Sequence, residues 1–220
     1  NLLKLIFILN DKIMPIITID GNIGCGKTSV LNYLHKYYKI PVDLEPVDNW
    51  DKYLHDMYDD KQGVFKFQVR VWLDRCWVQE KSEKSIILME RSPYFIKNVF
   101  IQTAYDLKMI SEKERESLLA LHKNTDKMWC PNYYIYLRSK PENCCKKIKK
   151  RNRPSEKNIT PEYIKILHDI HEETFENYDL SSYSNTAKMI CIDVDGKTVV
   201  EVSNEILEII QTHFPTHKYI

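Results

Sequence analysis

"IITIDGNIGCGKTS", residues 16–29, joins a β-branched apolar run to a glycine-rich turn that ends in a lysine. Gly21, Gly26, Lys27 and Thr28 fit the pattern G-x-x-x-x-G-K-[ST], between a predicted strand and a predicted helix. Glycines let backbone N–H groups approach phosphate oxygens, and the following helix N-terminus adds partial positive charge. The stretch predicts a nucleoside triphosphate site built from consecutive residues: Gly21, Asn22, Ile23, Gly24, Cys25, Gly26, Lys27, Thr28 and Ser29.

Alternating strand and helix patterns extend this loop into a fold. β-branched runs of strand length lie at residues 16–19, 41–44, 85–89, 133–137 and 189–194, and segments with helical spacing of apolar residues separate them. Buried strands joined by crossover helices favour a parallel sheet that is covered on both faces. We therefore expect one α/β domain with a parallel five-stranded sheet, and ligands beyond the carboxyl ends of its strands.

Composition narrows the class of protein. The 220 residues include 32 basic and 31 acidic side chains, so no overall charge attracts nucleic acid or a membrane surface. The six cysteines form no C-x-x-C pair, which disfavours a zinc site and favours a reducing, cytoplasmic location. The apolar run at residues 2–9 contains a lysine and is too short to span a bilayer. We interpret residues 1–13 as an N-terminal extension and residues 14–220 as the domain.

Acidic residues follow two further predicted strands. Glu45 follows the run at 41–44, and Glu90 and Arg91 follow the run at 85–89. A carboxylate at a strand tip can cap the next helix, but here both tips should lie at the edge that holds the phosphate loop. One carboxylate can then hold Mg²⁺ together with the Thr28 hydroxyl, and the other can accept a proton from an attacking hydroxyl. Lys27 should bridge the β- and γ-phosphates, while Arg91 supplies a fixed positive charge.

The order of several short motifs resembles the deoxynucleoside kinase family, which includes deoxycytidine kinase, deoxyguanosine kinase and mitochondrial thymidine kinase. The motifs are "GNIGCGKTS" (21–29), "EPVDNW" (45–50), "FKFQ" (65–68) with a following arginine, "ERSPY" (90–94), "LRSKPENCCKKIKKRNR" (137–153) and "EKNITPEYIKILHDIHE" (156–172). The resemblance runs from residue 16 to the C-terminus and implies a P-loop kinase fold with a basic lid segment. It also implies transfer of the γ-phosphate of ATP to the 5′-hydroxyl of a deoxynucleoside, with Mg²⁺ as a cofactor and a homodimer as the assembly.

The resemblance further implies roles for residues around the acceptor. Glu45 would hold and deprotonate the 5′-hydroxyl beside Arg91, and Glu90 would belong to the Mg²⁺ and acid–base network. Which of the two carboxylates is the formal base stays open. Gln68 would read the base edge through two hydrogen bonds. The other implied substrate contacts are the aromatic walls around the base, Trp50, Phe67 and Phe100, and the pair that grips the 3′-hydroxyl, Tyr58 and Glu156.

The basic run at 146–153 resembles a lid over the ATP phosphates, within a segment of about residues 144–158. Lys147 and Arg151 are four residues apart and therefore share a helix face, and Arg153 lies just beyond. Lys147 departs from the family, in which arginine is usual, and lysine lacks the bidentate fork of arginine. "DVDGK" (193–197) resembles the loop that cups the adenine through Asp195, Gly196 and Lys197, although a plain turn has the same pattern.

Base choice depends on two positions. Relatives that prefer deoxycytidine and purines pair an arginine on the Gln68 helix with an aspartate four residues after the E-R-S serine. Arg75 matches that arginine, whereas Ile96 occupies the aspartate position. The lost carboxylate leaves an apolar wall near the 5-methyl group of thymine, so we expect a pyrimidine preference with thymidine accepted. Arg75 then needs another partner, because an unpaired buried guanidinium is costly.

Two other functions share the phosphate loop. A nucleoside monophosphate kinase, such as thymidylate kinase, binds an acceptor that is already charged, and Glu45 would repel that phosphate. A nucleic-acid-binding P-loop ATPase needs a broad basic surface with stacking aromatics, which the balanced composition disfavours. Switch motifs of a water-activating GTPase do not follow the loop. A neutral hydroxyl is therefore the favoured acceptor, and neither nucleic acid nor a membrane is an expected partner.

Overall fold

The computed structural model describes residues 15–59, 63–76, 86–125, 131–178 and 187–215, with the backbone alone at 55–59 and 125. The predicted N-terminal extension, residues 1–13, lies outside these ranges. The strands are β1 (Ile16–Asp20), β2 (Val42–Asp43), β3 (Ile87–Glu90), β4 (Tyr133–Arg138) and β5 (Lys188–Asp193). The α-helices are α1 (Lys27–Tyr38), α2 (Val47–Asp59), α3 (Gly63–Arg75), α4 (Pro93–Phe95), α5 (Gln102–Asp106), α6 (Glu112–Thr125), α7 (Pro141–Arg151), α8 (Pro161–Glu176) and α9 (Val199–His213). A π-helical segment (Ile96–Ile101) joins α4 to α5, and a 3₁₀ turn (Pro154–Glu156) lies between α7 and α8.

The five strands of the described ranges form one sheet in the order β2-β3-β1-β4-β5, and every neighbouring pair is parallel. Parallel neighbours require crossover connections, which the helices supply. β1 occupies the centre of the sheet, so the phosphate loop that follows it leaves from the middle of the carboxyl edge. The predicted parallel five-stranded sheet is confirmed.

Alternate residues of β4 enter different apolar clusters, because successive side chains of a strand point to opposite faces. Ile135 packs with Leu31 of α1 and Ile206 of α9. Tyr136 packs instead with Leu167 of α8 and with the helical run after β3. Helices therefore cover both faces of the sheet, as the sequence predicts.

The carboxyl edge collects acidic residues from three strands. Asp20, Asp43 and Glu90 are the last residues of β1, β2 and β3. All three are buried, although carboxylates rarely are unless they have partners. Buried carboxylates at the edge that carries the phosphate loop make it the candidate site for chemistry. Within the part of the chain that the structure describes, no helix is both long and apolar enough to cross a bilayer.

Candidate active site

The phosphate loop is packed tightly between β4 and α7. Gly21 has a backbone φ of 142°, and a Cβ atom there would lie 2.6 Å from the carbonyl oxygen of Leu137. A Cβ atom on Gly24 would lie 2.7 Å from the carbonyl oxygen of Cys144 in α7. Both approaches require glycine. The predicted phosphate loop is therefore in contact with α7, the helix that belongs to the predicted lid.

Lys27 is the buried first residue of α1, and its ammonium group is held over the loop. Its Nζ donates to the carbonyl oxygens of Gly21 and Asn22, each at 3.1 Å. The Asn22 side chain itself bonds to the protein, since its Nδ2 donates to the carbonyl oxygen of Ile164 at 2.9 Å. Lys27 therefore presents the charge that a phosphate in the loop would meet, and Asn22 anchors the loop to α8.

Thr28 and Glu90 bring two oxygen donors together. Thr28 Oγ1 donates to Glu90 Oε1 at 2.6 Å, which joins α1 to the tip of β3. Hydroxyl and carboxylate oxygens are the hard donors that Mg²⁺ prefers beside phosphate oxygens and waters. Burial, and then the negative charge of Glu45, raise the pKa of Glu90. The donor set fits the predicted Mg²⁺ site, where a cation would also relieve the repulsion between the two carboxylates.

Glu45 and Arg91 form a buried ion pair, in which Arg91 Nε donates to Glu45 Oε1. The backbone N–H of Glu45 donates to Glu90 Oε2 at 3.2 Å, so both carboxylates lie at one corner of the site. Burial alone would raise the pKa of Glu45, but the charges of Arg91 and then Lys27 outweigh it and hold that pKa below its ordinary value. Glu45 is therefore the carboxylate kept ionised, and it can accept a proton.

Arg91 links the phosphate loop to the aromatic part of the site. Its guanidinium carbon lies 4.2 Å from the centre of the Phe100 ring, a cation–π geometry. Its Nη1 lies 3.5 Å from the carbonyl oxygen of Gly21. A fixed positive charge thus stands between the place for phosphates and the place for an aromatic ligand.

A cavity of about 560 Å³ opens between the phosphate loop, the strand tips and α7, a size typical of small-molecule sites. It brings together most of the predicted site residues. Its walls include Ile23, Gly24, Gly26, Lys27, Thr28 and Ser29 from the loop; Glu45, Glu90 and Arg91 from the strand tips; Trp50, Phe67, Gln68 and Phe100 from the predicted base pocket; and Lys147, Arg151, Arg153 and Glu156 from the predicted lid.

The end of the cavity away from the loop is aromatic and apolar. The rings of Trp50 and Phe67 meet edge to face with their centres 5.9 Å apart. Trp50 Nε1 donates to Asp74 Oδ2 at 2.7 Å, which fixes the orientation of the indole. Gln68 lines the same end and is only 4% exposed, so its amide belongs to the interior and not to the surface of α3. This end of the cavity can bind a flat ring, which could form hydrogen bonds with the amide of Gln68.

The lid residues are bonded to one another and to the loop. Lys147 Nζ donates to the carbonyl oxygen of Cys25 at 3.0 Å. Arg151 makes a two-pronged contact with Glu156, from Nε at 3.0 Å and from Nη2 at 2.6 Å. Arg153 Nη1 lies 3.5 Å from the same carboxylate. The side chain predicted to grip the sugar therefore holds the two arginines predicted to bind phosphate.

Arg75 is not in the cavity wall, which corrects its predicted placement beside the base. It is fully buried, with Nη1 2.7 Å from Asp43 Oδ1 and Nη2 2.8 Å from the carbonyl oxygen of Glu90. Ile96 also lies outside the wall and packs in the apolar cluster that contains Trp50. Asp43 thus supplies the carboxylate partner that position 96 lacks.

Other predicted residues stand behind the walls or beyond them. Asp195 accepts from Ser139 Oγ at 2.7 Å and from the backbone N–H of Lys140 at 2.8 Å, which ties its turn to the start of α7. Lys197 pairs with Glu205 at 2.6 Å. The contact of Asp195, Gly196 and Lys197 with adenine stays a prediction. Gly21, Asn22 and Cys25 support the loop from behind, and the side chain of Tyr58 lies outside the described residues.

Several wall residues were not predicted from the sequence. The apolar ones are Val47, Leu54, Val71 and Ile159, and the polar ones are Asn32, Lys150 and Tyr163. Lys150 lies in the basic run, three residues after Lys147, so helical spacing could have identified it. Val47 lies in the motif at 45–50, and Ile159 and Tyr163 lie in the motif at 156–172, but the motifs gave these residues no role. Asn32, Leu54 and Val71 reach the cavity through packing.

A phosphate loop, two carboxylates at neighbouring strand tips and a cavity that ends in aromatic rings define a P-loop kinase for a small acceptor. The family model described as deoxynucleoside kinase matches residues 17–215. Human mitochondrial thymidine kinase 2 is 31% identical over 72% of this chain and 63% of its own length. The deoxyadenosine kinase of Dictyostelium discoideum is 29% identical over 76% of this chain and 68% of its own. This chain belongs to the deoxynucleoside kinase family and is an ATP-dependent deoxynucleoside kinase.

A solved structure of deoxyadenosine kinase from M. mycoides with bound dATP has the same fold. The TM-score is 0.74, with 22% sequence identity, 89% of this chain covered and 98% of that one. The deoxyguanosine kinase of Xenopus laevis is 27% identical over 71% of both chains. These relatives are thus named for different bases.

Proposed function

We propose that this kinase phosphorylates the 5′-hydroxyl of pyrimidine deoxynucleosides, accepts thymidine, and uses Glu45 as its general base. The observation that carries the proposal is the contact of Glu45 with Arg91 in the cavity, between Lys27 and the aromatic end. A charged acceptor would meet the Glu45 carboxylate, so this arrangement favours a neutral hydroxyl over a monophosphate.

Each charged residue has a role in the transfer. A loose phosphoryl transition state requires positioning and charge neutralisation more than strong base catalysis. Glu45 accepts the hydroxyl proton, and Arg91 and Lys27 neutralise charge on the transferring oxygens. Thr28 and Glu90 would hold Mg²⁺, which supplies further neutralisation at the phosphate oxygens when bound.

The base end supports a pyrimidine. Its walls are formed by Trp50, Phe67 and Phe100 together with Val47, Leu54 and Val71. Gln68 supplies an amide at that end, whereas Arg75 and Asp43 are paired with each other beneath the strand tips. The amide of Gln68 can accept from N3–H of thymine and donate to O4, while apolar side chains suit the 5-methyl group.

A panel assay tests this proposal. The kinase is supplied with ATP and each of the four natural deoxynucleosides, and kcat/KM is measured from the monophosphate formed. Thymidine or deoxycytidine should give the highest value, and thymidine should be a substrate. A deoxyadenosine or deoxyguanosine value far above that of thymidine would overturn the base preference. Faster phosphorylation of thymidine monophosphate than of thymidine would overturn the neutral acceptor.

The proposal also includes Mg²⁺ dependence, a homodimer and a cytoplasmic location, with no nucleic-acid partner. The adjacent Thr28 and Glu90 oxygens support the metal. Leu73 on α3 is 55% exposed, and an exposed leucine on this helix supports an interface there. Loss of activity with a chelator and a dimer mass in sedimentation are the expected results. Full activity in excess chelator or a monomer mass would contradict them.

A further inference from the structure

Arg91 occupies a backbone conformation that an arginine rarely adopts. Its φ is 60°, in the left-handed region that disfavours residues with a Cβ atom. The turn at Arg91 nevertheless decides where its guanidinium lies relative to Glu45 and the phosphate loop. Some neighbouring group must therefore hold this turn in place.

Asp20 holds the turn at Arg91 in place. Its Oδ1 accepts from the backbone N–H of Ser92 at 2.7 Å and from Ser92 Oγ at 3.0 Å. The N–H of Arg91 donates to the carbonyl oxygen of Ile19 at 3.0 Å, so the last two residues of β1 both bind the turn. Ser92 Oγ in turn accepts from the N–H of Phe95 at 3.1 Å and starts α4. One carboxylate oxygen thus fixes the chain directly after Arg91.

Asp20 also lies next to the phosphate loop. It precedes Gly21, whose carbonyl oxygen accepts from Lys27 Nζ at 3.1 Å and faces Arg91 Nη1 at 3.5 Å. The Asp20 side chain is fully buried, and burial raises its pKa to about 6 although its bonds to Ser92 and the charge of Arg91 oppose the shift. A buried carboxylate is costly unless its contacts compensate.

We infer that Asp20 is a positioning residue for phosphoryl transfer, which acts by fixing the Arg91–Ser92 turn at a set distance from the phosphate loop. The inference rests on the proposed function, because it requires Arg91 to act beside Glu45. Asp20 touches neither substrate in this account. Its loss should therefore slow the chemical step at saturation while substrate binding stays nearly the same.

The test compares Asp20→Ala with Asp20→Asn in steady-state kinetics with ATP and the best deoxynucleoside of the panel. Asp20→Ala removes the acceptor and should lower kcat by about 10- to 100-fold, with both KM values within about threefold of the wild type. Asp20→Asn keeps an oxygen that can accept from Ser92 and should restore kcat to within about fivefold of the wild type. An unchanged kcat in Asp20→Ala, or a loss that appears only in KM, overturns the inference.

A double-mutant cycle of Asp20 and Arg91 distinguishes a positioning role of Asp20 from a general structural role. In an Arg91→Ala background, Asp20→Ala should lower kcat by less than about threefold, since the group it positions is gone. The same 10- to 100-fold loss in both backgrounds overturns the inference. Thermal unfolding of each variant shows that folded protein is compared.

Two further measurements, on Ser92→Ala and on the wild-type enzyme, complete the test. If Asp20→Ala does not fold, Ser92→Ala is measured instead: it removes the bonds of Ser92 Oγ to Asp20 and to the N–H of Phe95 and keeps the backbone bond to Asp20. A several-fold lower kcat at unchanged KM then supports the inference, and an unchanged kcat overturns it. Wild-type turnover of the four deoxynucleosides is measured first. Its absence overturns both the proposed function and this inference, whereas wild-type turnover that Asp20→Ala matches overturns this inference alone.

Discussion

Arg75 Nη1 lies 2.7 Å from Asp43 Oδ1, and neither side chain is more than 5% exposed. Arg75 Nη2 also donates to the carbonyl oxygen of Glu90 at 2.8 Å. Asp43 ends β2, Glu90 ends β3 and Arg75 ends α3, so one guanidinium ties a helix of the base pocket to the two strand tips nearest Glu45. The role of Arg75 is therefore to support the site from beneath.

Arg75→Met should lower the free energy of unfolding by about 3–5 kcal/mol, because it leaves the Asp43 carboxylate buried without its partner. Arg70→Met is the matched control on the same helix. Arg70 pairs with Asp74 at 2.8 Å but is 36% exposed, so its loss should cost less than about 1 kcal/mol. Urea unfolding of both variants measures the difference. Equal effects of the two substitutions would contradict the buried-pair account.

Glu156 is bonded to Arg151, so binding of sugar and binding of phosphate should be coupled. Glu156→Gln weakens the grip expected on the 3′-hydroxyl and should raise the KM for deoxynucleoside about tenfold or more. It also releases Arg151 from a competing carboxylate, which should lower the KM for ATP. Glu162→Gln, at an exposed position on α8, is the control and should change neither KM. An unchanged KM for both substrates in Glu156→Gln would mean that sugar binding and phosphate binding are not coupled through Glu156.

His171 predicts a pH dependence of stability. The ring is fully buried between Tyr136 and Phe95, and burial lowers its pKa to about 3. The unfolded chain binds a proton below about pH 6.5 while the folded protein does not, so stability falls as the pH drops through that value. His171→Phe should therefore gain about 2 kcal/mol relative to the wild type between pH 7 and pH 5.

Phe95→Leu, in the same ring stack, is the control for the His171 experiment. Leucine does not titrate, so the difference between this variant and the wild type should be the same at both pH values. Chemical denaturation at pH 7 and pH 5 gives all the values required. A difference between His171→Phe and the wild type that does not change with pH would mean that the buried ring is not held neutral.

The sequence allowed the sheet, the phosphate loop and the acidic strand tips to be predicted because each depends on local chemistry. Gly21 and Gly24 permit backbone conformations that other residues resist, and strand–loop–helix order places Glu45 and Glu90 at one edge. The lid face was also predictable, since Lys147 and Arg151 are separated by one helical turn. The prediction of these features needs no knowledge of long-range packing.

Features that depend on three-dimensional packing were not predictable in the same way. The segment after β3 has helical spacing of its apolar residues, but residues Ile96–Ile101 form π-helical turns, which hydrophobic spacing does not distinguish from α-helix. Arg75 is paired with Asp43, which lies 32 positions away in the sequence. In the family pattern the partner of this arginine is at position 96. The bond between Arg151 and Glu156 was likewise missed, because the resemblance to the family implied contacts with different substrates for the two residues.

Glu45→Gln shows whether Glu45 receives the proton of the acceptor hydroxyl. The amide keeps the size of the side chain but accepts a proton poorly, so kcat with saturating ATP and thymidine should fall by about 10²- to 10⁴-fold. Circular dichroism and thermal unfolding establish that the variant is folded. A folded Glu45→Gln enzyme whose kcat stays within about threefold of the wild-type value would mean that Glu45 is not the general base.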